Sequence, residues 1–121
     1  MGFFSYSKNT EINWTDLVSE EQLLNAINQH EKIVFIFKHS TRCSISSMAK
    51  SRFERGWVEP TYAYELLYLD LLTYRPVSNK IEEVTGIIHQ SPQLIVIQNG
   101  EVVYHESHGG ISADAALKSV K

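Results

Sequence analysis

The chain of 121 residues contains a single cysteine, Cys43. An internal disulfide is therefore impossible, and a structural zinc site built on a cluster of cysteines is excluded with it. Such sparing use of cysteine is typical of reducing compartments. Basic runs are absent as well: the eleven Lys and Arg residues are scattered and the formal net charge is -3. No stretch is suited to tracking a phosphate backbone, so nucleic acid is not expected as a partner. The longer apolar runs, such as Ile33 to Phe37 and Leu94 to Ile97, fall far short of the roughly 20 residues of a membrane-spanning helix, so no membrane association is expected. Residues 1 to 12 lack the basic start, apolar stretch and small-residue cleavage site of a signal peptide. Gly2 invites a comparison with myristoylation signals, but Tyr6 stands where Ser or Thr is needed. These absences together suggest a soluble cytoplasmic protein.

Internal repeats, low-complexity segments and linkers are also missing. The chain therefore reads as one domain over residues 19–121 preceded by an N-terminal arm, residues 1–18. A domain of this size buries roughly two thirds of its unfolded surface and needs no covalent staple. Ser19-Glu20-Glu21-Gln22 fits a capping box in which Ser19 and Gln22 satisfy each other's backbone N–H groups, with Val18 and Leu23 placed as a hydrophobic staple. A first helix should start near residue 20, carry Leu23, Leu24 and Ile27 on one stripe, and end near His30. Ile33 to Phe37 is a β-branched and aromatic run of the kind found in strands buried on both faces.

That strand leads into the polar stretch HSTRCSIS, residues 39 to 46. Beyond it Ile45, Met48, Ala49, Phe53 and Trp57 recur at helical spacing, which places Cys43 at or beside a helix N-terminus. Tyr64 to Leu71 reads as a second strand, and Ser78 to Val84 as a short helix stopped near Gly86. Leu94 to Ile97 and Val102 to Tyr104 flank Asn99-Gly100, a strong signal for a tight hairpin. Ser112 is a good N-cap for a last helix carrying Ala116, Leu117 and Val120. Two strands joined through a helix and followed by an antiparallel hairpin imply an α/β fold, a mixed four-stranded sheet flanked by helices on both faces.

Cys43 therefore sits where chemistry is often placed, in a loop between a buried strand and a helix start. The nucleophile in disulfide chemistry is the thiolate, and the unpaired N–H groups of a helix N-terminus favour an anion. Lys38, His39 and Arg42 are close enough in sequence to add positive potential. A cysteine that merely packs as a small hydrophobe is the common alternative, but it fits a polar run poorly. Three residues on, Ser46 occupies the second position of a Cys-x-x-Cys spacing. A hydroxyl is too weakly acidic to resolve a mixed disulfide, so Cys43 must pass its disulfide to an outside thiol. Ser46 either donates a hydrogen bond to the thiolate or satisfies a free backbone group near the helix start, and the spacing permits both. A metal held by His39, Cys43, His105 and His108 would need distant segments to converge, so solvated surface histidines are expected instead and no metal site is assigned. A Cys, His, Asp hydrolase would need His39, His89 or another His against Cys43, and no signature of that kind surrounds it.

The order of elements resembles the thioredoxin fold. Ser91-Pro92 before a strand, then Asn99-Gly100, a second strand and Gly109, is similar to the C-terminal half of thioredoxins, and by that resemblance Pro92 is a cis proline facing the cysteine. More specifically, Thr41-Arg42-Cys43-Ser44-Ile45-Ser46 resembles the motif of the monothiol bacilliredoxins. The likeness continues through Leu69-Asp70-Leu71, Tyr74 to Asn79, His89-Gln90-Ser91-Pro92-Gln93, Asn99-Gly100 and Glu106 to Ile111. The resemblance implies a thiol-disulfide oxidoreductase that removes bacillithiol, or a similar small thiol, from S-thiolated proteins. Cys43 and Ser46 would form its catalytic pair, and Thr41, Arg42, Ser44, Ser91, Pro92, Gly109 and Gly110 its substrate-binding positions. It implies a small thiol as co-substrate and no tightly bound cofactor. The departure is Ser44, where the family motif usually has proline, a residue suited to a first helical turn. The alternative functions are a thioredoxin-fold binding or adaptor module, and a redox sensor whose thiol passes through sulfenic acid.

Overall fold

The computed structural model describes residues 12–121. Its centre is a strand in which all seven residues are buried, Ile33–His39. This is β2 in an element order that runs β1 (Thr15–Asp16), α1 (Glu20–Asn28), β2, α2 (Ser44–Arg55), β3 (Tyr64–Asp70), α3 (Arg75–Thr85), β4 (Gln93–Gln98), β5 (Glu101–Ser107), a short 3-10 turn (His108–Gly110) and α4 (Ala113–Lys118). The sheet order is β1-β3-β2-β4-β5. β2 runs parallel to β3 and antiparallel to β4, with Ile36 opposite Leu67 on one side and Ile95 on the other.

Side chains alternate across a strand, so β2 feeds two cores. Val34 and Ile36 pack with Leu23, Ala26, Val77 and Ile81 on the face covered by α1 and α3. Ile33, Phe35 and Phe37 pack with Ala49, Phe53, Trp57, Ala113 and Ala116 on the face covered by α2 and α4. The hairpin forms where Asn99-Gly100 predicts it, with both residues at positive φ, 55° and 78°, the backbone that a two-residue turn of matching twist requires. Gly86 ends α3 in the left-handed conformation. That helix is longer than the sequence reading because Pro76 falls in its first turn, where the missing N–H is not needed.

Two expectations are corrected. The sheet has five strands rather than four, because Thr15 and Asp16 pair in parallel with Leu67 and Tyr68. Two polar residues carry no periodic signal, and their pairing is decided by the next residue along the chain: Leu17 is fully buried and its N–H donates to Tyr68 O at 2.8 Å. This edge strand lies within residues 1–18, read as an arm, of which 1–11 and the Gly2 position lie outside the described residues. The second correction concerns the capping box. Ser19 Oγ accepts the Gln22 N–H at 3.1 Å, but the Gln22 carbonyl accepts from Val18 N, one residue upstream of the expected donor. The Gln22 amide also donates to Asp16 O at 2.8 Å, so the side chain is drawn back to the end of β1 and ties strand to helix.

Leu17→Ala is expected to cost about 2–4 kcal/mol in urea unfolding, since Leu17 fills a closed part of the core. A loss below about 1 kcal/mol would show that residues 12–17 contribute little to the domain.

Candidate functional site

β2 ends at His39, and a turn follows in which Cys43 N–H donates to Ser40 O at 3.2 Å. Cys43 is the N-cap of α2, in extended backbone conformation, and its side chain makes no capping hydrogen bond. The half-buried sulfur therefore stands at the open end of a twelve-residue helix. Thr41, Arg42 and Ser44 around it are exposed. Strand pairing brings the second segment to the same end of the sheet. Lys38 lies opposite Gln93, so Pro92, preceded by a cis peptide bond from Ser91, falls beside the point where β2 turns into the Cys43 loop. The third segment follows from there. His108 N–H donates to Pro92 O at 3.1 Å, and Arg52 of α2 donates to His108 O at 3.0 Å. These two bonds draw the turn holding Gly109 and Gly110 toward both Pro92 and α2. Gly110 leaves room for the Glu106 side chain, which a Cβ there would displace, whereas Gly109 faces open space.

Ser46 is fully buried. Its Oγ accepts the Ser40 N–H at 3.1 Å and lies 2.7 Å from His39 Nδ1. Of the two arrangements open to Ser46 in the sequence, the structure takes the backbone one, although the group served is in the loop and not in the helix. One hydroxyl thus joins the end of β2, the loop and the first turn of α2 on either side of Cys43. His39 completes the knot. Its imidazole is 6% exposed and packs near the Tyr68 ring. Burial holds its pKa below the ordinary range, Lys50 pushes the same way, and Asp70 and Glu54 oppose. Asp70, opposite His39 in register, gives one carboxylate oxygen to Thr73 while the other is buried without a partner.

The histidines expected to be solvated therefore divide: His105 and His108 are exposed, whereas His39 is buried beneath α2. His89 is half-buried with Nδ1 2.7 Å from Lys38 Nζ. Lys38, expected to add positive potential near the thiol, faces the α1 and α3 side instead, because it is one residue from His39 in a strand. Arg42 remains exposed in the loop. Among the described residues no three His, Cys, Asp or Glu side chains are grouped to hold a metal ion. Nor does any described helix have the length and hydropathy to cross a membrane. The helical stripe also splits: Ala49 and Phe53 are buried, whereas Ile45 is 57% and Met48 66% exposed. Each of the two precedes a buried residue by one position, which turns it about 100° around the helix. Together they form an apolar flank beside Cys43 that periodicity alone assigned to the core.

A model of the family "Monothiol bacilliredoxin BrxC" matches residues 15–116. The chain belongs to the monothiol bacilliredoxin family. Among solved structures, the bacilliredoxin chain is similar to a protein described as a candidate oxidoreductase with a thioredoxin fold, at 31% identity over 86% of this chain and 90% of that one, with a TM-score of 0.73. The thioredoxin Mala s 13 of Malassezia sympodialis shares 15% identity over 97% of this chain and all of its own, 100%, with a TM-score of 0.71. Schistosoma mansoni thioredoxin shares 20% over 80% and 84%, at 0.61. The last two likenesses bear on the fold alone, and they make this bacilliredoxin thioredoxin-like.

Removing the Ser46 hydroxyl by Ser46→Ala leaves Ser40 N–H and His39 Nδ1 without their partner and is expected to cost about 1–3 kcal/mol in denaturant unfolding. A second expectation concerns acid. His39 has a folded pKa below its ordinary 6.5, so its contribution is present above 6.5 and is lost as pH falls toward the folded value, because the unfolded chain takes up the proton first. Unfolding free energies at about pH 7.5 and about pH 5.5 should differ less in His39→Asn than in the natural chain. An equal acid loss in both would remove His39 from the account.

Proposed function

We propose that this protein removes bacillithiol, or a closely similar small thiol, from mixed disulfides on other proteins. The observation carrying this reading is a lone thiol at the N-cap of α2 whose partner position holds a buried hydroxyl already engaged by Ser40 and His39. The Cys43 thiolate attacks the bacillithiol sulfur of the mixed disulfide. The old sulfur–sulfur bond breaks, its electron pair leaves with the protein thiolate, which takes a proton from water, and a Cys43–bacillithiol disulfide remains. With no second thiol in the chain, a further small thiol or a partner redoxin attacks that disulfide and returns Cys43 as thiolate. A reducing cytoplasm supplies such thiols.

Each implied substrate-binding position has a place in this scheme. Thr41, Arg42 and Ser44 flank Cys43 along the chain, while Ser91, Pro92, Gly109 and Gly110 lie on segments drawn toward the same end of the sheet by the β2–β4 pairing and the bonds of His108. Ser44 is exposed at the first helical position, where it keeps the nucleophile on the helix cap, gives up the rigidity of the family proline and offers a backbone donor, a change that bears on the redox potential and the thiol preferred.

Incubation with bacillithiol disulfide, glutathione disulfide and coenzyme A disulfide in turn, followed by intact mass measurement, tests this. One bacillithiol adduct per chain is expected, formed fastest of the three and absent in Cys43→Ser. No adduct with any of them, together with unchanged cellular function of Cys43→Ser, would favour the adaptor reading. Ser46→Cys should replace the stable adduct by an internal disulfide under oxidising conditions, and two persisting free thiols would show that one turn of α2 does not bring these positions together.

A further inference from the structure

Lys38 is fully buried, 0% exposed, in the central strand five positions before Cys43. An ammonium there is a costly choice, and the proposed chemistry does not use it. Its hydrogen bond is to His89 Nδ1 at 2.7 Å, in the connection between α3 and β4 that ends at Ser91-Pro92. Three other side chains hold the backbone of this connection. Thr85 Oγ accepts Ile87 N–H at 3.1 Å, Glu82 accepts His89 N–H at 3.1 Å, and the buried Gln93 donates to Ile88 O at 3.1 Å. All three come from α3 or β4, the elements the connection joins. Lys38 alone reaches it from β2, the strand that delivers Cys43. The Lys38–His89 bond is thus a side-chain tie between the thiol's strand and the proline segment across from it.

We propose that Lys38 and His89 are positioning residues that set the Ser91–Pro92 segment against Cys43, and that their bond governs capture of the mixed disulfide rather than reactivity of the thiol. This rests on the functional reading above. Lys38 faces His89 and, from α3, Glu82; His89 faces Lys38, Ser78 with Oγ at 3.4 Å, Arg75 and Glu82. Burial draws Lys38 down to about 8 against the pull of Glu82. Burial, then Lys38 and Arg75, hold His89 below its ordinary value. Near neutral pH the ammonium therefore donates to a neutral imidazole protonated on its other nitrogen. Acid protonates His89, both groups become donors, and the tie opens.

The test compares Lys38→Met, His89→Phe and His89→Asn, whose amide oxygen can accept where Nδ1 does. Three quantities are read: kcat and KM for release of bacillithiol from an S-bacillithiolated protein, the rate of Cys43 alkylation by iodoacetamide, and hydrogen exchange of residues 86–93 in the natural chain from about pH 5 to about pH 8. KM should rise roughly tenfold in Lys38→Met and His89→Phe and stay within about threefold in His89→Asn, with alkylation unchanged in all three. Exchange of 86–93 should exceed its intrinsic pH dependence on the acid side. Unchanged KM in the first two variants, or alkylation falling in step with capture, overturns the proposal. So does loop exchange without excess acid sensitivity, a result that needs no variant to fold. If the natural chain releases no bacillithiol, the functional reading fails, while the exchange measurement still decides the tie.

Discussion

The molecule is organised by a strand with nowhere to be wet. β2 has neighbours on both edges and helices on both faces, so every side chain it carries must be either apolar or supplied with a buried partner. Its first five residues meet the condition with aliphatic and aromatic groups. Its last two, Lys38 and His39, meet it by hydrogen bonding, and because they are adjacent they do so on opposite sides of the sheet. His39 fastens the helix that presents Cys43, and Lys38 fastens the loop that leads to Pro92. Both walls of the site hang from one strand end.

Monothiol chemistry is usually described by what is missing, a second sulfur. In this bacilliredoxin the substituted position is occupied structurally. Ser46 is buried and serves two groups, one of them the backbone of the loop before Cys43. A neighbouring layer under α2 is polar as well. Glu54 accepts from Trp14 at 2.8 Å and from Lys50 at 2.7 Å, and Lys50 lies over the rings of Trp14 and Tyr68. The first strand segment is thereby sewn to the helix that carries the thiol, and residues before the first helix belong to the support of the site.

Features governed by local chemistry were legible in the sequence. The buried run of β2, the Asn99-Gly100 turn, the Ser19 and Ser112 caps and the helix start at Cys43 each depend on a few neighbouring residues and a known period. Features that depend on partners distant in the chain were not. Thr15 and Asp16 are a strand only because Leu67 and Tyr68 lie beside them, and Ile45 and Met48 are surface only because Ala49 and Phe53 take the buried face. Lys38 and His39 fall between the two cases. Alternation in a strand already placed them on opposite faces, and the period of two would have separated them had it been carried past Phe37. Their partners, Ser46 seven positions on and His89 fifty-one, were beyond its reach.

The double-sided burial of β2 also has a consequence for descent. Inserting or deleting one residue between Ile33 and His39 would exchange its two sets of side chains, sending Lys38 beneath α2 and His39 toward α3. Neither would find its partner, and both cores would be refilled with the wrong shapes. Change in chain length along this lineage is therefore barred from the strand and from the three residues that separate His39 from Cys43. In the connection between α2 and β3, Trp57 is buried in the core and Ala63 O accepts the Ile33 N–H at 3.0 Å, so room for a change in length is confined to the more exposed stretch from Val58 to Thr61.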